Sequence, residues 1–586
     1  MEALLIPAIM RINRAVDTEA KARKVVDALR NIMRSTDPLD ANRRTLEALR
    51  DGVPVVLASG QDTTTVKLIE FDPDRQHLND FTVTNQYRVR GSETVKADTV
   101  LLVNGIPVVL AEYKSYVNSG HDWKEGVNQL HRYQREAPAL LVPNVFSVSA
   151  DEQEFRFGPV AYQINSQKDI DLQRDSWQPW LSQYPVRRLY WTMPPAEVEP
   201  DAVKAATEGL LRPCNVLDFI ENFHTFETKR GKTTKKLARY QQFEAANDIV
   251  DRVVKGEDLT GLIWHTQGSG KTLTMIFAGY KLRRRAEMEN PTVMIVVDRR
   301  DLKKQIADDF DYCEYPAVER AMGVRDLKEK IEANWRGTLI TTLQCFQQMD
   351  DLAPRTDAKA PLTILLIDEA HRSQKGKGAG FAMTMRAKLP KAFRFGLTGT
   401  PIDRTMVNTH RDFGPIKDGQ QERYLSYYGI RRSILDGATL EVYYELRTVP
   451  LETEEEPLSI GFEQMCEEME VEDEEEKTDL QRKETRWKAL ARDDRRVAKV
   501  IGNMVEHFLA HPDPNGFKAQ LVAVDRFACQ IYKDALDAEF RTRGLPPEWS
   551  EVVISQGQND PPELERFHYT KEKTDEIIER FKINAV

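Results

Sequence analysis

At 586 residues, 41% hydrophobic and 30% charged, the chain is long enough for about four domains of ~150 residues. Its balance is that of a folded globular protein, which excludes the disordered and fibrous classes. No apolar run approaches the ~18 residues of a membrane span, the start Met1-Glu2-Ala3-Leu4-Leu5-Ile6-Pro7 lacks a basic leader, and the five scattered cysteines form no CxxC pair. Together these point to a reducing cytoplasm and against a disulfide framework or structural zinc. The net charge of −10 is local in origin: 13 acidic residues and no Lys or Arg lie between Glu452 and Glu476, and without that stretch the chain carries +3. A DNA-binding surface is therefore allowed, and the acidic stretch reads as a solvated, peripheral insertion with no metal site.

In chain order, residues 12–50 read as helical, with apolar positions at helical spacing over 21–32. Period-two segments follow at 55–57, 65–69, 81–84, 100–103 and 108–110, then a helix over 121–136 and a strand at 145–148. This predicts an α/β domain over 1–200. Residues 201–240 read as a connector holding the basic run 229–236. From 241 to 450, continuous apolar strands (262–264, 293–297, 339–342, 364–367, 393–398) alternate with amphipathic stretches, which predicts a parallel sheet covered on both faces. An acidic insertion or linker (451–493) precedes a third unit (494–586) with helices at 497–510 and 529–540 and strands at 519–524 and 551–555.

Residues 262–274 carry an apolar strand, then Gly268-Ser269-Gly270-Lys271-Thr272, then a helix. The glycines let backbone N–H groups approach phosphate, Lys271 suits the β- and γ-oxygens of ATP, and Thr272 suits its Mg²⁺. The general pattern has glycine at the position of His265, a departure that helicase-type loops tolerate. The strand 364–367 ends in Asp368-Glu369-Ala370-His371. Here Asp368 is placed for Mg²⁺ and Glu369 for the attacking water. Gly396-Leu397-Thr398-Gly399-Thr400-Pro401 ends another strand and is suited to couple nucleotide state to motion. Arg239-Tyr240-Gln241-Gln242 precedes the loop, with Tyr240 to stack adenine and Gln242 to read its edge. Thr266 and His371 complete the candidate nucleotide contacts.

A second constellation lies in the N-terminal domain. Asp98 sits on one arm of an Asn104-Gly105 hairpin, and Glu112 and Lys114 end the other, two apart and hence on one face. Two carboxylates and a lysine suit Mg²⁺-dependent phosphodiester hydrolysis. Gln129 and Tyr133 share a face of the following helix. Convergence has a condition: with a two-residue loop and regular pairing, Asp98 would face away from Glu112. Pro107 cannot donate to a ladder, so the spacing predicts an odd-length loop or a bulge between 98 and 112.

The order Tyr-Gln-Gln, Gly-Ser-Gly-Lys-Thr, Asp-Glu-Ala-His, Leu-Thr-Gly-Thr-Pro resembles superfamily 2 helicases and DNA translocases. That resemblance implies contact of residues 297–300 and 341–344 with a nucleic-acid backbone. With the N-terminal Asp, Asn-Gly-x-Pro hairpin, Glu-x-Lys and Gln-x-x-x-Tyr, most of the chain resembles the motor and endonuclease (R) subunit of Type I restriction enzymes, as does the stretch from Ser433-Ile434-Leu435-Asp436-Gly437-Ala438 to Tyr443-Tyr444-Glu445. The resemblance implies a PD-(D/E)xK nuclease-like α/β domain followed by RecA-like lobes, with ATP and Mg²⁺ as cofactors. Its implied partners are double-stranded DNA and methyltransferase and specificity subunits, which supply site recognition. Relative to that family the chain reads as starting after a helix that bears a further metal-site glutamate and as having an incomplete second lobe. On that reading residues 1–586 alone bind ATP and turn it over poorly. The competing reading is a DNA-repair or defence helicase with a non-nuclease N-terminal domain.

Overall fold

The structure, a computed structural model, describes residues 2–58, 62–115, 122–159, 176–185, 202–229, 231–256, 258–347, 352–354, 362–372, 381–402, 408–414, 416–417, 420–421, 424–443, 445, 488, 490–557 and 560–583. The acidic stretch 452–476, together with His121, Arg230 and Tyr444, lies outside the described residues. The chain divides into two compact units, Met1–Glu441 and Val442–Val586.

The first unit opens with three helices. Glu2–Ile12 is followed by Glu19–Ile32, whose N-terminal amide at Lys21 is capped by Thr18, and by Pro38–Asp51, capped by Asp37 with proline in its first turn. Such caps satisfy amides that have no partner inside the helix. Strands β1 (Val53–Val55) and β2 (Thr64–Val66) form a short antiparallel pair. The expected strands at 55–57 and 65–69 therefore shrink, because only three residue pairs find each other.

Strands β3 (Phe81–Arg90), β4 (Thr94–Val103), β5 (Ile106–Tyr113), β6 (Phe146–Ala150), β7 (Phe155–Gly158) and β8 (Gln178–Pro179) form one sheet in sequence order. All neighbours are antiparallel except β5 and β6. A parallel pair needs a crossover, and the helix Trp123–Glu136 supplies it. Asp122 caps that helix, which buries Trp123, Gly126, Val127, Leu130, His131 and Tyr133. Those positions repeat with helical period, so one face lies on the sheet.

The stretch expected as a connector is folded. The helix Pro213–Glu221 leads into a hairpin of β9 (His224–Lys229) and β10 (Lys232–Leu237). Gly231 turns the hairpin at φ 75. The run is not simply a basic surface, because Lys235 points inward and is buried. Its Nζ donates to Asn42 Oδ1 (3.0 Å) and Asn144 O (2.8 Å), and burial holds this amine well below its ordinary pKa.

After the helix Tyr240–Lys255 comes the second sheet. Its strands are β11 (Thr260–His265), β12 (Thr292–Val297), β13 (Val318–Arg320), β14 (Gly337–Thr342), β15 (Thr363–Asp368) and β16 (Phe393–Thr398). A two-residue pair, β17 (Ile416–Lys417) and β18 (Gln420–Gln421), precedes the last, β19 (Ser426–Tyr428). The sheet order is β13-β14-β12-β15-β16-β11-β19, parallel throughout. Every residue of β12, β14 and β16 is buried, as a parallel sheet covered on both faces requires.

In the second unit the helices Asp494–Ala510 and Arg526–Arg543 pack through Val497, Ile501, Val505 and Phe540. The strands expected at 519–524 and 551–555 are not formed: among the described residues these segments have no ladder partner. Val522 is 84% and Val524 51% exposed. Their alternating pattern is that of a strand, but a strand exists only where a neighbour takes its backbone hydrogen bonds.

Candidate active sites

The hairpin in the first sheet turns at Asn104 (φ 54) and Gly105 (φ 78), the pair of positive φ values a two-residue type I′ turn needs. Asn104 is buried, with its Nδ2 donating to Leu68 O (2.8 Å) and its Oδ1 accepting from Asp80 N (2.7 Å). Pairing starts as Val103 with Ile106 and Leu102 with Pro107, then shifts by one residue at Leu101, which faces Val109. The extra residue is Val108, a bulge next to the proline that cannot donate. Thereafter Val100 faces Leu110 and Thr99 faces Ala111, so Asp98 stands across from Glu112. The predicted irregularity is thus a bulge, and the turn itself keeps two residues.

Asp98 N donates to Glu112 Oε1 (3.2 Å), and Tyr113 N donates to Asp98 Oδ2 (3.0 Å). Lys114 Nζ lies 3.5 Å from Glu112 Oε2 and donates to Gln129 Oε1 at 2.6 Å. Gln129 Nε2 in turn donates to the Tyr133 hydroxyl, which donates to Lys96 O (2.7 Å). The lysine is therefore aimed by a chain of hydrogen bonds anchored on the crossover helix. Glu112 is fully buried. Burial, and next the charge of Asp98, push its carboxyl up to about 7, against the opposing pull of Lys114. Its Oε2 pairs with the Lys114 ammonium at 3.5 Å but has no hydrogen-bond partner, which leaves it a lone pair that a cation could take. Among the described residues no group of three or more potential metal ligands comes together. A divalent ion bound here would have these two carboxylates as its protein ligands and would need water or phosphate to complete its shell.

Two further residues build this site without a motif to announce them. Ser149 on β6 faces Glu112. Gly126 on the crossover helix lies so close that a Cβ there would collide with Ser149 Oγ and come within 3.4 Å of Glu112 Cβ.

In the second sheet, β11 runs into the loop Thr266–Gly270 and the helix Lys271–Arg284. Gly268 and Gly270 have φ of 79 and 83, values only glycine adopts readily. Lys271 and Thr272 open the helix, where exposed amides and the helix dipole favour phosphate. Gln242 Nε2 donates to Ser269 O (3.0 Å) and Gly270 O (3.2 Å), and its Oε1 accepts from Arg239 N (2.9 Å). Gln242 thus braces the loop with one end of its amide and caps its own helix with the other. Tyr240 departs from the stacking role expected of it. Its ring is buried and meets Tyr428 in a T-shaped contact, and its hydroxyl donates to Asp436 Oδ2 at 2.8 Å, which leaves little of it exposed to a base. His265 fills the position where the general loop pattern has glycine; it is buried, with Nε2 2.8 Å from Ser426 Oγ.

Asp368 ends β15, and burial, then the charge of Glu369, push its carboxyl up to about 6 while Lys271 opposes the shift. Its Oδ1 has no hydrogen-bond partner, the same signature as Glu112. Glu369 adopts φ 48, a conformation uncommon outside glycine. His371 Nδ1 lies 2.9 Å from Thr398 Oγ1, which accepts from Thr400 N at 3.1 Å. The Asp-Glu-Ala-His turn and the Thr-Gly-Thr turn are thereby joined. Gln344 Nε2 donates to Asp298 O (2.7 Å), which links the two segments implied to meet nucleic acid.

These features define a class: an α/β chain that joins a carboxylate–lysine site on a mixed sheet to a nucleotide-binding loop on a parallel one. Residues 1–165 match the sequence model of the Type I restriction enzyme R protein N terminus, and residues 241–477 match that of the SWI2/SNF2 ATPase. The chain is 29% identical over 578 residues to the Type I restriction enzyme HindI endonuclease subunit of Haemophilus influenzae, covering 92% of this chain and 51% of that one. It is 27% identical over 402 residues to the Type I restriction enzyme SauCOLORF180P endonuclease subunit of Staphylococcus aureus, covering 67% and 39%. Over most of its length it is therefore similar to endonuclease subunits of Type I restriction enzymes, and it spans about half the length of the Haemophilus relative. Among the described residues no helix is long and apolar enough to cross a membrane.

Proposed function

We propose that the chain is the motor and nuclease part of a Type I restriction enzyme, which moves double-stranded DNA with ATP and cleaves unmodified DNA. The observation that carries the nuclease half is the Val108 bulge, because it turns Asp98 onto the face of Glu112. A divalent cation held by these two carboxylates would acidify a water and stabilise the leaving oxygen. Lys114, aimed by Gln129, orients that water and offsets charge that builds on the phosphate. In the motor half, Lys271 pairs with the β- and γ-phosphates, Thr272 and Asp368 hold the nucleotide's Mg²⁺, and Glu369 polarises the attacking water. The His371–Thr398 contact carries the state of that site to the neighbouring strand end. Residues 297–300 and 341–344 meet the DNA backbone. Methyltransferase and specificity subunits supply recognition of the target sequence.

The test uses the complete protein assembled with those subunits on unmodified circular DNA. Linear product is expected only when ATP and Mg²⁺ are both present. Robust ATP turnover with no cleavage under any metal would overturn the nuclease half, and cleavage at full rate without ATP would overturn the coupling.

A pH dependence follows from Glu112. Its folded pKa is raised from 4.5 to about 7, so the stability it contributes is complete below pH 4.5 and is lost as pH rises through 7. A cation that binds the charged form offsets this loss. The rise in melting temperature on adding Mg²⁺ is therefore expected to be small at pH 5.5 and to grow up to pH 8. Equal stabilisation at both pH values would contradict the assignment.

A further inference from the structure

Strand β3 pairs with β4 so that Asn85 faces Thr99 and Tyr87 faces Ala97. Counting through that register sets Gln86 opposite Asp98, yet this pair is missing from the ladder. The cause lies in the backbone. Gln86 has φ 56, the left-handed region that residues other than glycine, asparagine and aspartate rarely enter. Gln86 is exposed, so close packing does not force this conformation. The residues on either side hold their register, and Thr99 Oγ1 donates to Asn85 Oδ1 (3.1 Å). The departure is thus confined to the β3 residue that faces the candidate metal carboxylate.

The side chain gives the departure a purpose. Gln86 Nε2 donates to Asp98 Oδ1 at 3.3 Å, while Tyr113 N donates to Asp98 Oδ2 at 3.0 Å. Asp98 is therefore held at both oxygens, by a side-chain amide from β3 and a backbone amide from β5. Gln86, Asp98 and Glu112 form a row across three neighbouring strands. An isolated backbone outlier beside a functional carboxylate is where strain is expected to serve a site, and groups that orient metal ligands tune metal affinity.

We infer that Gln86 is a positioning residue of the metal site: its amide fixes the Asp98 carboxylate in the orientation that, with Glu112 Oε2, receives a divalent cation. The inference rests on the nuclease reading above. Its consequence is on metal affinity more than on the chemical step, because Gln86 acts through Asp98.

The experiment is a nucleotide-free Mn²⁺ titration of the 586-residue chain followed by electron paramagnetic resonance. Mn²⁺ bound by the unaltered chain and lost in Glu112→Gln defines the site and separates it from weak binding to surface carboxylates. Gln86→Gly keeps the left-handed backbone accessible and removes only the amide. It is expected to weaken Mn²⁺ at that site by on the order of tenfold, with an unchanged melting temperature. Gln86→Asn, which retains an amide and tolerates the same φ, is expected to recover part of the affinity. In the assembled enzyme, the Gln86→Gly variant is expected to need more Mg²⁺ for half-maximal cleavage and to approach the normal rate at saturating Mg²⁺. Unchanged Mn²⁺ affinity in Gln86→Gly would overturn the inference while leaving the nuclease reading intact. If Gln86→Gly melts early, Gln86→Asn is read instead against the unaltered chain: its shorter side chain is expected to weaken Mn²⁺ measurably, and unchanged affinity would overturn the inference. If Glu112→Gln binds Mn²⁺ like the unaltered chain, the nuclease reading itself fails.

Discussion

Lys271→Ala is expected to lower ATP turnover by on the order of 10²–10³, the usual loss when one preorganised group facing transition-state charge is removed. Lys271 opens the helix that follows Gly270, so its ammonium adds to a phosphate site already made by backbone amides and the helix dipole. It also draws down the raised pKa of Asp368. Without it Asp368 holds its proton to still higher pH and binds the nucleotide's Mg²⁺ less well. The measurement is steady-state phosphate release by the assembled enzyme with DNA. Because the first sheet is untouched, Mn²⁺ binding at Asp98 and Glu112 is expected to stay the same. A turnover within tenfold of normal would contradict the assignment of the loop.

Asp98→Ala should do the converse. It removes one of two carboxylates from a site where Glu112 Oε2 has no hydrogen-bond partner, and it leaves Tyr113 N and Gln86 Nε2 without the acceptor they now share. The carboxylate that remains cannot hold a divalent cation against water on its own, so cleavage is expected to fall by on the order of 10³ or more. ATP turnover is expected to be unchanged, since the groups of the phosphate loop lie on a different sheet. Linearisation of circular DNA and phosphate release, read on the same preparation, check both. Equal losses in the two activities would point to misfolding, and no loss in cleavage would remove Asp98 from the site.

How much of this could be read from the sequence depends on how far each feature is local. Strands β12 and β15 hold continuous apolar runs, and such runs announce a sheet buried on both faces. The loop at Gly268–Thr272 and the turn at Asp368–His371 are consecutive residues, so their chemistry is legible as written. The bulge at Val108 was half legible: parity demanded an irregularity and Pro107 favoured one, but its position belongs to the ladder. The burial of Tyr240 has no local signature, because the carboxylate that takes its hydroxyl, Asp436, is 196 residues away. Residues 201–240 read as a connector because the hairpin β9–β10 is mostly polar, whereas the partners that fold it, Asn42, Asn144, Cys313 and the core around Phe226, are distant in sequence. The segments 519–524 and 551–555 alternate like strands, but pairing is a property of neighbours that the local pattern does not contain. Gln86 gave no signal, since a left-handed backbone in a polar strand leaves no mark on composition, and Gly126 became meaningful only beside Ser149.

The central claim is that Asp98 and Glu112 share one divalent cation. Anomalous scattering from crystals soaked in Mn²⁺ without nucleotide tests it most directly. A peak within about 2.1 Å of Glu112 Oε2 and of an Asp98 carboxylate oxygen is the expected result. An ordered site with no such peak, or Mn²⁺ bound elsewhere while both carboxylates keep only protein partners, would contradict it.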